Sequence, residues 1–97
     1  MFKLPKSYTL GGITYPVILV SEVDNTPSVN GMTFLDKNRI EIRRDLSKDL
    51  TGQVFCHELT HSILGIMGEN ELNNNEKFVD LFGTFLHQAL KTMSDRV

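Results

Sequence analysis

Tryptophan is absent from this chain of 97 residues, and cysteine occurs once. A lone Cys56 excludes an internal disulfide and removes any need for an oxidising compartment. No stretch approaches the roughly 20 apolar residues of a membrane-spanning helix. The opening MFKLPKSYTLGG also lacks the unbroken apolar run of a secretion signal. The expectation is a cytoplasmic protein with no membrane partner. An excess of one charge is missing too, because 10 Lys and Arg stand against 12 Asp and Glu, a net −2. That balance argues against nucleic-acid binding, which draws its affinity from a basic surface. A short basic cluster, Arg39, Arg43 and Arg44, reads as a solvated strand face.

What is present fits a single globular domain over residues 1–97: 40% of the residues are apolar and the charges are mixed. The first half reads as strands. In SYTLGGITYPVILV two β-prone runs flank Gly11-Gly12, a good two-residue hairpin turn. Val17–Val20 is apolar throughout, which suits a strand covered on two sides. SEVDNTPSVNG is rich in turn formers and reads as a loop. GMTFLDKNRIEIRR is a second hairpin candidate turning at Asp36-Lys37-Asn38. Its last strand alternates Ile40 and Ile42 with Arg39, Glu41 and Arg43, as a half-exposed edge strand would.

The second half reads as two helices. The first starts near Ser47 to Leu50, with Ser47 as candidate cap, and stops at Gly65 or Gly68. Its Phe55, Leu59, Ile63 and Ile66 recur at helical spacing and are expected to lie on the sheet. GENELNNN is a polar connecting loop. From about Glu76 onward Phe78, Leu81, Phe82, Phe85, Ala89, Leu90 and Met93 trace a wide apolar stripe. The N-terminal hairpin or the underside of the sheet can cover that stripe. The other reading is a partner or a second copy of the chain, docked on Phe78, Phe82 and Phe85.

Within the first helix stands VFCHELTHSIL, residues 54–64. His57 and His61 are about 40° apart around a helix axis and about 6 Å apart along it, so their imidazoles can converge on one ion. Glu58 lies about 100° further round, beside such an ion, where it can take a proton from a metal-activated water. This is the His-Glu-x-x-His arrangement of a zinc site with its general base. Downstream, NEKFVD places Glu76 and Asp80 on one face of the second helix. A carboxylate would complete a two-histidine, one-glutamate site, and the second could accept the other ring N–H of a ligand histidine. Acidic residues also favour helix N-termini without any metal. Gly83 lies on the same stripe as Glu76, where a missing side chain would let the motif helix approach.

His57-Glu58-Leu59-Thr60-His61, followed by Asn75-Glu76 and Asp80, resembles the gluzincin metallopeptidases, the thermolysin-like group. The stretch from Asn38 to Leu90 is also similar to the minimal zinc peptidases of phage and bacterial genomes, related to the ImmA/IrrE group. The resemblance implies one Zn2+ held by His57, His61 and Glu76, with Glu58 as general base and Asp80 as the partner of a ligand histidine, His57. It implies an α+β, zincin-like minimal domain: a small N-terminal twisted sheet of three to four strands followed by the motif helix and the glutamate helix. The expected activity is zinc-dependent hydrolysis of a peptide or protein substrate, with Arg39–Arg44 as an edge strand beside the cleft. The alternative is a zinc-containing binding or regulatory protein that cleaves nothing. Larger gluzincins add a His or Tyr that stabilises the oxyanion. Tyr8, Tyr15 and His87 are the evident candidates here, although His87 would lie about 16 Å beyond Glu76 along the helix.

Overall fold

The computed structural model describes residues 2–94. The order is β1 (Ser7–Leu10), β2 (Ile13–Val20), β3 (Gly31–Phe34), a 3-10 turn (Leu35–Lys37), β4 (Arg39–Arg43), α1 (Lys48–Met67), a single-turn α2 (Asn70–Asn73) and α3 (Glu76–Thr92). The domain is α+β with one four-stranded mixed sheet in the order β1-β2-β4-β3. β1 and β2 form the expected hairpin, with Leu10 opposite Ile13 and both intervening glycines at positive φ, 58° and 82°. That pair of left-handed residues is what a tight turn matched to strand twist requires.

β2 continues beside β4 in parallel, Val17 opposite Ile40, and β3 folds back antiparallel onto the far side of β4. β4 is therefore an inner strand and the edge is β3, which corrects the placement of Arg39–Arg44 at the margin. The half-exposed reading of β4 also fails at Glu41, only 8% exposed. Its carboxylate meets the Arg39 guanidinium at 2.7 Å and accepts the Asp24 backbone N–H at 3.2 Å. An alternating strand can thus be buried on both faces when its charges satisfy one another. The other arginines are committed as well: Arg43 pairs with Asp45 at 2.7 Å and donates to the Pro27 carbonyl, and Arg44 donates to the Leu19 carbonyl. Nor is β2 covered on two sides, since Leu19 is 45% exposed.

One sheet face receives α1. Ile40 and Ile42 meet Phe55 and Cys56 in the core, flanked by Tyr8 and Val17 from the sheet and Leu86 and Leu90 from α3. The sequence supplies both ends of α1. The Ser47 side chain accepts the Leu50 N–H, and at the other end Gly68 and Glu69 donate back to the Gly65 and Leu64 carbonyls. This pair of bonds is a Schellman closure. Ile66 of the expected sheet-facing stripe escapes it and is exposed.

α3 begins where the Asn75 side chain accepts the Phe78 N–H. It packs along α1 through a strip that includes the fully buried Val79 and Gly83. The expected cover reaches only part of its apolar stripe: Leu90 packs on the core, but Phe82 and Phe85 remain 48% and 62% exposed, with Phe82 stacked on Phe78 at 5.8 Å. Among the described residues no helix is long and apolar enough to cross a membrane.

Candidate metal centre

The contact between α1 and α3 positions the centre. Gly83 permits it: a Cβ at this position would stand 2.9 Å from the His57 Cα and 3.0 Å from its backbone nitrogen, closer than two helices tolerate. With only hydrogen there, α3 lies against the turn of α1 that carries His57. Glu76, two turns earlier on the same stripe, then reaches both imidazoles.

His57, His61 and Glu76 each offer one ligand atom, and these atoms lie within 4.8 Å of one another. His57 Nε2 is 3.8 Å from Glu76 Oε2, and His61 Nε2 is 3.6 Å from Oε1. Donors bound tetrahedrally at about 2.0–2.1 Å from one ion stand roughly 3.4 Å apart, so each nitrogen is near that separation from one oxygen of Glu76, while the 4.8 Å spread of the three ligand atoms would have to close around an ion. The remaining ring nitrogens strengthen the fit. His61 Nδ1 is 2.6 Å from Asn73 Oδ1, an acceptor, so Nδ1 is the donor in this bond and Nε2 is the nitrogen turned toward Glu76. His57 Nδ1 faces Asp80 Oδ1 at 3.6 Å, which favours the same tautomer. The group could hold a metal ion.

Nothing in the sequence marks Asn73. Three asparagines follow one another, and only the course of α2 decides that the first meets His61 while the third caps α3. The Asn73 side chain also lies close to Gly65, where the 3-10 turn packs through Leu35.

Glu58 is 8% exposed yet lines the adjoining cavities. One cavity, of about 400 Å³, extends past Met32, Leu35 and Asn73. The other, of about 340 Å³, extends past Leu50, Gln53 and Val54. They share Gly31, His57 and Glu58 as walls and together form a cleft beside β3, with His57 and Glu58 where the two adjoin.

None of the candidate oxyanion groups lines either cavity. Tyr8 stands behind α1, where its hydroxyl meets Ser62 Oγ at 2.8 Å and its ring stacks on buried Tyr15. Burial there raises the Tyr8 pKa above its ordinary 10.0, against the opposing pull of the Ser62 bond. His87 is buried against Gly52 and the edge of Phe2. Cys56 is fully buried in the core with Ile40, Ile42 and Phe55, apart from the cluster of His57, His61 and Glu76, and burial pushes its thiol up to about 11.

Compared with known proteins, the chain matches no family model, no curated protein and no solved structure. Its chemistry is therefore read from its own residues.

Proposed function

We propose that this chain is a zinc-dependent peptide hydrolase of the gluzincin kind, with Glu58 as its general base. One observation carries the reading: a ring nitrogen from each of His57 and His61 and a Glu76 carboxylate oxygen gather within 4.8 Å of one another in a cleft that Glu58 also lines. His57, His61 and Glu76 would hold one Zn2+. The ion's contribution there would be that of a Lewis acid, polarising a carbonyl and acidifying a water. The protein's own groups do the remaining work. Asn73 holds the His61 ring with Nε2 inward, and Asp80, facing His57 Nδ1 at 3.6 Å, would draw the other ring the same way. Glu58, beside that triad, accepts a proton from the attacking water and delivers it to the leaving amine. The free margin of β3, in place of Arg39–Arg44, can take an extended peptide through main-chain bonds.

A second reading, a zinc-containing binding or regulatory protein that cleaves nothing, draws support from the cleft lining. It includes no tyrosine and no third histidine to meet a developing oxyanion. The Glu58→Gln variant separates the two. As a hydrolase, the variant keeps one zinc per chain and loses at least about a hundredfold in turnover of a peptide pool followed by mass spectrometry. Unchanged turnover sinks the role of Glu58. A zinc-loaded wild-type protein that cleaves nothing leaves the binding reading in its place.

A further inference from the structure

Glu58 is held from outside its own helix. The Thr33 hydroxyl lies 2.8 Å from Glu58 Oε1 and 3.0 Å from the Glu58 backbone carbonyl. A hydroxyl has one proton to give. The carbonyl already accepts the Ser62 hydroxyl at 3.1 Å, and the carboxylate is the stronger acceptor at the shorter distance, so the proton goes to Oε1. Two residues earlier on the same strand face, Gly31 lies under the Glu58 stem: a Cβ there would stand 3.4 Å from Glu58 Cγ. The strand thus fixes one carboxylate oxygen by a charge-assisted bond, while Gly31, having no side chain, leaves the space beside the stem free. The second oxygen is left for the cleft.

We infer that Thr33 is a positioning residue for Glu58, through which β3, the strand bordering the cleft, sets the aim of the general base. The inference rests on the hydrolase reading above. A buried Glu stem retains several rotamers, and proton transfer needs the carboxylate within hydrogen-bond reach of its water. Fixing one oxygen removes the unproductive orientations before substrate arrives. Because the donor sits on the strand that a peptide would pair with, a shift of that strand would move the base with it.

The test has two arms. In the first, Thr33→Val and Thr33→Ala remove the donor and Thr33→Ser keeps it. Both donor-less variants should lose about ten- to a hundredfold in kcat, with KM and zinc content unchanged, and the serine variant should retain most of the activity. In the second arm, urea unfolding of the metal-free protein follows Thr33→Val in the wild-type and Glu58→Ala backgrounds. The unfolding constant should rise about tenfold in the first background and change little in the second. Turnover of Thr33→Val within about twofold of wild type, or a serine variant as impaired as the valine one, overturns the positioning role. Equal cost in both backgrounds overturns the hold itself. Zinc-loaded wild-type protein that cleaves no peptide overturns the hydrolase reading and, with it, any catalytic purpose for the hold; the urea arm then reports the contact alone.

Discussion

Cys56 neighbours His57 in the sequence but belongs to the core, and its thiol makes a prediction about alkaline stability. Its folded pKa is about 11 against an ordinary 9.0. The raised value means that its contribution is complete below about pH 9 and is lost as pH climbs through the folded value, because the unfolded chain releases its proton first. The loss should total about 2–3 kcal/mol by the upper end of that range. Denaturant midpoints measured from pH 8 to 11 should fall in the wild type and fall less in Cys56→Ala. Parallel curves would mean that the thiol does not titrate with unfolding. At this scale the sequence is informative wherever a role depends on spacing along one helix, as for His57, Glu58 and His61. It is silent wherever a role depends on the path of a loop. Asn73, Asn74 and Asn75 are chemically identical, and only the single turn of α2 gives them a ring nitrogen, nothing and a helix cap respectively.

Between elements, the decisive distance is the one from α3 to α1 at Gly83. A methyl group there meets main-chain atoms of His57, which cannot rotate away, so Gly83→Ala must push the helices apart. The expected cost is about 1–3 kcal/mol of stability. Zinc affinity, measured by competition with a chromophoric chelator, should fall at least about tenfold while helix content by circular dichroism stays the same. Wild-type affinity in that variant would show that Glu76 reaches the histidines without the close approach. The limits of α1 are legible because Ser47 and Gly68 are local signals that no distant packing overrides. Strand order is not. β4 alternates apolar and charged residues as an edge strand does, but Glu41 and Arg39 neutralise each other and the loop at Asp24 closes over them. The parallel join of β2 to β4 leaves no trace in either strand, since it depends on where the β3–β4 hairpin docks.

For the molecule as a whole, the candidate centre is a cross-link between α1 and α3. An ion bound only by the folded chain stabilises it by about 2.7 kcal/mol when present at a hundred times its dissociation constant. For a chain of this size each kcal/mol moves Tm by about 4–8 °C. Calorimetry should therefore find Tm falling by more than about 10 °C when zinc at that excess is withdrawn with a chelator, and no such dependence in His57→Ala. An identical Tm with and without zinc would mean that the two helices gain nothing from the ion. Both donors contributed by α1 are largely sheltered, whereas the Glu76 side chain is 73% exposed. Water and competing chelators would reach the ion from that flank, so exchange would be fast and occupancy would follow supply.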